Sequence, residues 1–92
     1  MKVYKYPIPT IDCFSLLLPR GAKVLCVQPQ GDAVCIWALV DPDAEKLSRK
    51  FYIVGTGHEL GSEVSTRDAA EAYVGTFQVH GGTLVFHLFE AP

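Results

Sequence analysis

The stretch Tyr73-Val-Gly-Thr-Phe-Gln-Val-His80, followed by Gly81-Gly82 and then by Thr83-Leu-Val-Phe-His-Leu-Phe-Glu90, decides the fold. Both flanking segments are short, apolar and rich in β-branched and aromatic residues, which is typical of β-strands. A Gly-Gly pair between two such segments favours a two-residue hairpin turn, because both central positions need positive φ. The stretch therefore predicts an antiparallel hairpin in which His80 lies opposite Thr83.

This register predicts that the two faces of the hairpin differ. The face expected to be core carries Tyr73, Gly75, Phe77, Val79, Leu84, Phe86 and Leu88. The other face is mixed and carries Val74, Thr76, Gln78, His80, Val85, His87 and Phe89. On the mixed face, His87 is predicted to lie directly across from Thr76. The mixed face is therefore where polar side chains are expected to meet in an otherwise apolar setting.

Five further apolar segments, bounded by turn residues, also have the pattern of strands. They cover residues 2–6, 13–18, 23–28, 33–41 and 49–56, with a turn at 29–32 and a polar connection at 42–48. The segment 33–41 is the most apolar and is expected to be central. We therefore predict a mostly β fold of about seven short, mainly antiparallel strands, arranged as a small barrel or a sandwich.

The segment 57–72 breaks the strand pattern. Ser65 stands three residues before Asp68, which is the spacing of a helix start, and the following alanines and glutamate favour a helix. We expect at most one short helix near residues 66–72.

Composition limits the class of protein. The chain has 92 residues, of which 49% are hydrophobic and 20% charged, so we expect residues 1–92 to form a single β-rich domain. Because the domain is small and apolar, we expect a second subunit or a partner to cover part of its apolar surface. The net charge of −2, without a basic run, argues against nucleic acid as a partner, and the apolar runs are too short to span a bilayer.

Motifs for catalysis and for metal binding are absent from the sequence. Cys13, Cys26 and Cys35 are odd in number and lack a CxxC spacing, so free thiols in a reducing cytosol are expected. A cross-strand pair of Cys26 with Cys35 stays open as an alternative. No metal-ligand spacing, nucleophile elbow or complete phosphate loop occurs. We therefore expect no catalytic residue, no metal and no cofactor, and Trp37 is expected in the core rather than as a stacking platform.

A short echo links two parts of the chain. Phe51-Tyr-Ile-Val-Gly-Thr56 and Ala72-Tyr-Val-Gly-Thr-Phe77 both place Gly-Thr after a run of aromatic and β-branched residues. A glycine inside a strand often marks a bulge or a close backbone approach. Two such bends would let a sheet curl.

Candidate binding residues fall in two places. The turn after the fifth strand and the mixed hairpin face supply Thr56, His58, Glu59, Thr76, Gln78 and His87 as candidates to contact a ligand or partner. For His87, a purely structural, hydrogen-bonded role is the alternative. Tyr4 and Tyr6 point to one side of the first strand, and they are interface candidates if that strand is an edge, because tyrosine is enriched at interfaces.

Several strings of sequence carry a family resemblance. They are Pro19-Arg-Gly-Ala-Lys-Val-Leu25, Trp37-Ala-Leu-Val-Asp-Pro42, Phe51-Tyr-Ile-Val-Gly-Thr-Gly-His58, Tyr73-Val-Gly-Thr-Phe-Gln78 and Gly82-Thr-Leu-Val-Phe-His-Leu-Phe-Glu90. Together they resemble short uncharacterised proteins encoded by tailed phages and prophages, over nearly the whole chain. The long, acidic connection 57–72 departs from that pattern.

The resemblance implies a setting rather than an activity. It implies a phage-derived product that works in the cytoplasm of a bacterial host cell or in the virion. We therefore expect a non-enzymatic binding protein that engages a host protein and self-associates. The alternatives are a small-ligand-binding or sequestering protein, with its pocket near Thr56, His58, Thr76 and His87, and a minor structural component of the virion.

Overall fold

Seven strands and one short helix make up the structure, a computed structural model that describes residues 1–60 and 66–91, without the side chains of 66–68. The elements are β1 (Lys2–Ile8), β2 (Cys13–Pro19), β3 (Lys23–Gln30), β4 (Ala33–Val40), β5 (Lys46–Gly55), α1 (Thr66–Ala72), β6 (Tyr73–Val79) and β7 (Leu84–Glu90). The predicted short helix is therefore confirmed. Ser65, its predicted first hydroxyl, lies outside the described residues.

The strands form two antiparallel sheets. One has three strands in the order β1-β4-β3, and the other has four in the order β2-β5-β7-β6. The mostly β prediction is confirmed, and of its two arrangements the sandwich is the one observed. β4 is central in its sheet, as its apolar sequence predicts.

A single core lies between the two sheets, because alternate residues of each strand face the other sheet. Its buried members are Ile8, Phe14, Leu18, Ala22, Val27, Val34, Ile36, Ala38, Val40, Phe51, Ile53, Phe77 and Leu88. The rings of Phe14 and Phe51 stack within it, with centroids 5.5 Å apart. Among the described residues, no helix is long and apolar enough to cross a membrane.

Four strands are longer than the sequence pattern predicts, one of them, β2, by Pro19 alone. β5 begins at Lys46 rather than at residue 49, because Leu47 and Ser48 pair with Leu18 and Leu17 of β2. β1 and β3 run on through Pro7 and Pro29. Both are outer strands of their sheet, where a residue without an N–H is tolerated. Pairing with a neighbouring strand therefore outweighs the local polar and proline signals.

The last hairpin keeps the predicted register but has a longer turn. Thr76 lies opposite His87, and the pairing continues to Val79 opposite Leu84. His80, Gly81 and Gly82 all have positive φ. The loop consequently spans residues 80–83, rather than the two glycines alone.

A β-bulge at Val74 changes the predicted faces. Tyr73 lies opposite Phe89, yet Gly75 lies opposite Leu88, so Val74 is the extra residue. Val74 packs against the core, whereas Tyr73 is 48% exposed. The prediction of Tyr73 on the core face and Val74 on the mixed face is therefore wrong, because a bulge reverses side-chain alternation beyond it.

Gly75 of β6 lies close to Val27 of β3, in the other sheet. A Cβ placed on Gly75 would lie 2.9 Å from Val27 Cγ1 of β3, which is closer than any side chain tolerates. The predicted role of this glycine at a bulge and a close approach is confirmed.

The three cysteines are unpaired, and Trp37 lies outside the core. All three cysteines are free, and the register sets Cys26 opposite Trp37 and Cys35 opposite Gln28, so the two thiols are not cross-strand partners. Trp37 is only half-buried and alternates with the core residues Ile36 and Ala38. The expectation that Trp37 is core is wrong, since the ring lies on the outer face of the three-stranded sheet.

Candidate functional site

The outer face of the four-stranded sheet holds most of the predicted binding residues. We call it the His87 face and define it by Tyr52, Val54, Thr56, Tyr73, Thr76, Gln78, His87 and Phe89. β7 lies between β5 and β6, so His87 has Val54 on one side and Thr76 on the other. The strand pairing alone therefore centres the imidazole on this face.

A chain of hydrogen bonds runs through the His87 ring. Nδ1 of His87 lies 2.8 Å from Oγ1 of Thr76, and Nε2 lies 2.7 Å from Oγ1 of Thr56. The phenol oxygen of Tyr73 lies 2.6 Å from Oγ1 of Thr76. Three predicted site residues therefore join in one network, and Tyr73 extends it.

The chain admits two directions of donation, which differ at its Thr56 end. If the Thr56 hydroxyl donates to the carbonyl oxygen of Val85 at 3.5 Å, its oxygen accepts from His87 Nε2–H, and Nδ1 accepts from the Thr76 hydroxyl, which accepts from the phenol of Tyr73. If Thr56 donates to Nε2 at 2.7 Å instead, each later bond of the chain reverses. Either neutral tautomer of His87 therefore satisfies the chain.

Backbone contacts hold the two threonines in place. The amide of Thr56 donates to the carbonyl oxygen of Val85 at 3.2 Å, which keeps Thr56 against the start of β7 although β5 stops at Gly55. Thr76 is fixed by the ladder of β6 with β7. The network is therefore built on the sheet, which positions side chains more rigidly than a loop does.

Aromatic rings surround the network. Tyr73 and Phe89 meet edge to face with centroids 5.6 Å apart, and Lys50 Nζ lies 5.5 Å from the centroid of the Tyr52 ring. The bulge at Val74 places Tyr73 here, and the signal that could have found it is Gly75 within the strand. The face thus combines aromatic surface with hydroxyl and imidazole groups.

The other candidates of the turn and hairpin lie beside this network. The His58 ring packs on Gly55, with Nδ1 3.5 Å from where a Cβ would stand, and Glu59 is exposed in the same turn. Gln78 is exposed two residues along β6 from Thr76. The structure therefore gathers Thr56, Thr76 and His87 through direct contacts, with His58, Glu59 and Gln78 at the periphery.

Tyr4 and Tyr6 lie on an outer strand, which meets the condition set for them as interface residues. They are opposite Ala38 and Ile36, whose side chains belong to the core. Tyr6 accordingly packs against the core, and Tyr4 is 39% exposed. Burial, and to a lesser degree the neighbouring Tyr4, raises the pKa of Tyr6.

An ion pair occupies one end of the sandwich. Arg49 donates from Nε and Nη2 to the two carboxylate oxygens of Glu90, at 2.5 and 2.8 Å, and from Nη1 to the carbonyl oxygen of Ala22. This bonding to Glu90 raises the pKa of Arg49. A groove of about 540 Å³ borders the pair. Since the guanidinium is engaged by Glu90 and Ala22, the arrangement is a structural clamp.

A second groove lies at the opposite end, between the two hairpin loops. It has a volume of about 740 Å³ and its polar lining includes Thr10, Asp32, Gln78 and His80. Neither groove is lined by Thr56, His58, Thr76 or His87. Across residues 1–60 and 66–91, no group of three or more His, Cys, Asp or Glu side chains could hold a metal ion.

Comparison with known proteins identifies the family and no nearer relative. No curated protein and no solved structure matches the chain. One family model matches residues 1–92 and is described as a domain of unknown function, DUF7352. The chain therefore belongs to the DUF7352 family.

Proposed function

We propose that this protein is a non-enzymatic binding protein that recognises a partner protein through the His87 face. The observation that carries the proposal is the hydrogen-bonded chain Tyr73–Thr76–His87–Thr56, with spacings of 2.6 to 2.8 Å, on the solvent-accessible face of a sheet. Tyrosine and other aromatic residues contribute disproportionately to protein interfaces. Such a face suits recognition of another surface better than enclosure of a substrate.

Preorganisation supports this function. Side chains that must be ordered on binding reduce affinity by about 0.5–1.5 kcal/mol each. Thr56, Thr76, Tyr73 and His87 are already hydrogen-bonded to one another in the free protein. A partner that accepts this arrangement therefore binds without the entropy loss of fixing four side chains.

The partner that we propose is a host protein in the bacterial cytoplasm. This part rests on the resemblance to small phage and prophage proteins, which often act by binding host factors. The near-neutral charge of −2 and the aromatic character of the face favour a protein partner over nucleic acid.

Affinity capture with paired variants tests the proposal. The tagged wild type, a Tyr73→Ala/His87→Ala variant and a Gln28→Ala control are incubated with host-cell lysate, and captured proteins are quantified. Gln28 is exposed on the opposite sheet. We expect a protein retained by the wild type and the control and lost by at least tenfold with the double variant. Equal capture by all three, or no capture, contradicts the proposal.

A small-ligand-binding role is the second candidate, favoured by the 740 Å³ groove between the hairpin loops. Binding pockets for small molecules commonly measure about 300–1,000 Å³. Native mass spectrometry of the protein purified from cells tests it, since a retained small molecule supports this role and the mass of the protein alone argues against it.

A minor structural component of the virion is the third candidate. Peptide analysis of purified particles tests it.

A further inference from the structure

Four strands lie at sheet edges, and three of them carry features that discourage pairing with another chain. β1 has Lys2, Lys5 and Pro7. β3 and β6 each contain a bulge and pack against each other at Gly75 and Val27. Charges, prolines and bulges are the usual protection of exposed sheet edges.

The fourth edge strand, β2, lacks charged residues and bulges, and its one proline is its last residue. Its sequence is Cys13-Phe-Ser-Leu-Leu-Leu-Pro19, and Leu17 is 62% exposed. β2 pairs only with β5 among the described strands. An uncharged, apolar edge of this length is a template for a further strand.

The backbone groups that β2 presents outward can be assigned. The carbonyl oxygen of Asp12 accepts from the amide of Ile53 at 3.0 Å, and the amide of Arg20 donates to the carbonyl oxygen of Glu45 at 2.7 Å. Even-numbered residues therefore bond to β5. Because antiparallel strands alternate the direction of their backbone groups, Cys13, Ser15 and Leu17 direct theirs to the free edge.

From these observations we infer that β2 is the site where a second copy of this chain adds, as an antiparallel β2–β2 pair around a two-fold axis at Leu16. In that register Ser15 of each copy bonds to Leu17 of the other, and Cys13 faces Pro19. About six backbone hydrogen bonds form. The two four-stranded sheets then join into one.

Charge complementarity selects this register and this partner. Asp12 and Arg20 flank the uncharged strand on its two sides, and pairing around Leu16 sets Asp12 of each copy opposite Arg20 of the other. A register centred on Leu17 sets Arg20 opposite Phe14 instead, and one centred on Ser15 sets Asp12 opposite Leu18. Both charged residues are exposed. The Arg20 guanidinium contacts Glu45 of its own chain through Nη2, so Nε and Nη1 are the groups left for Asp12 of the other copy.

The dimer does not depend on the proposed partner protein, since the edge of β2 is separate from the network around His87. Sedimentation velocity of the full chain, between roughly 1 µM and 1 mM, tests the inference. We expect a monomer–dimer equilibrium in that range, unchanged by His87→Ala. A chain that stays monomeric throughout overturns it.

Two sets of variants locate the interface. Ser15→Pro removes an outward N–H that β5 does not use and should abolish the dimer, whereas Ser15→Ala should retain it. Asp12→Lys should weaken the dimer about tenfold, because the new lysine of each copy then lies opposite Arg20 of the other copy. The double variant Asp12→Lys/Arg20→Glu should restore the dimer. Circular dichroism confirms that each variant is folded. A dimer whose dissociation constant is unchanged by Ser15→Pro and by Asp12→Lys overturns the inference.

Discussion

Thr76 Oγ1 lies 2.8 Å from His87 Nδ1, directly across the ladder of β6 with β7. The hydrogen bond joins two residues that the hairpin register sets opposite each other. It ties the imidazole to β6, while Thr56 ties its other nitrogen to the end of β5. The histidine, on β7, is therefore held from both neighbouring strands before any partner binds.

The direction of the hydrogen bonds predicts the tautomer of His87. We expect the Thr56 hydroxyl to donate to the carbonyl oxygen of Val85, and the neutral His87 ring then carries its proton on Nε2. Long-range ¹H–¹⁵N correlation spectra of ¹⁵N-labelled protein report this directly. A ring protonated mainly on Nδ1 contradicts the assignment, and Thr76→Val should leave a less pure Nε2–H population, since Nδ1 then loses its donor.

Removing the Thr76 hydroxyl should destabilise the protein modestly. Thr76→Val deletes the bonds to Tyr73 and His87 while keeping the shape and β propensity of the residue. We expect the free energy of unfolding to fall by about 0.5–1.5 kcal/mol, measured by urea denaturation. Thr83→Val is the control in the hairpin loop and should change it by less than about 0.5 kcal/mol. Equal effects of the two substitutions contradict a stabilising network.

Gly75 and Gly55 offer a matched comparison, since both stand in the sequence Val-Gly-Thr. A Cβ on Gly75 would meet Val27 Cγ1 at 2.9 Å, whereas one on Gly55 would meet only the His58 ring at 3.5 Å. Gly75→Ala should lower the free energy of unfolding by about 1–3 kcal/mol. Gly55→Ala should be near neutral, because 3.5 Å is an ordinary contact.

A double-mutant cycle tests the cause of that loss. Val27→Ala removes the methyl group that the new Cβ would meet, so Gly75→Ala should cost less in the Val27→Ala background than in the wild type. Strictly additive losses would show that the approach of β3 to β6 is not what requires glycine at position 75.

The ion pairs Arg49–Glu90 and Arg20–Glu45 should differ in strength. Arg49 and Glu90 have side chains 25% and 23% exposed, whereas Arg20 and Glu45 are 65% and 60% exposed. Glu90→Gln should lower the free energy of unfolding by about 1–2 kcal/mol, because a half-buried guanidinium loses its charged partner. Glu45→Gln should lower the free energy of unfolding by about 0–1 kcal/mol, since solvent screens the Arg20–Glu45 pair. Chemical denaturation checks both, and equal losses contradict the structural role of Arg49.

The sequence predicts the sheet better than it predicts the ends of the strands. Alternation places His87 opposite Thr76 because one face of that hairpin must be buried, and this constraint is local. The sequence pattern predicts a polar connection at Lys46–Ser48. This segment forms strand because it pairs with β2, where Leu17 and Leu18 lie opposite Ser48 and Leu47. Such pairing between distant segments is not encoded in the local pattern.

The candidate site is predictable in part for the same reason. Thr76 and His87 follow from the hairpin register, and Thr56 follows from the end of the neighbouring strand. Tyr73 is missed, because one extra residue at Val74 reverses its side. Trp37 is misplaced, since an apolar central strand does not reveal which of its two faces is covered by the other sheet.

Site-specific photo-crosslinking tests the His87 face as the recognition surface most directly. A photoreactive phenylalanine is placed at Gln78, beside the network, or at Gln28, on the outer face of the other sheet. After irradiation in host cells, we predict a discrete adduct with one partner protein from position 78 and none from position 28. An adduct from position 28 alone, or none from either position, would contradict the account.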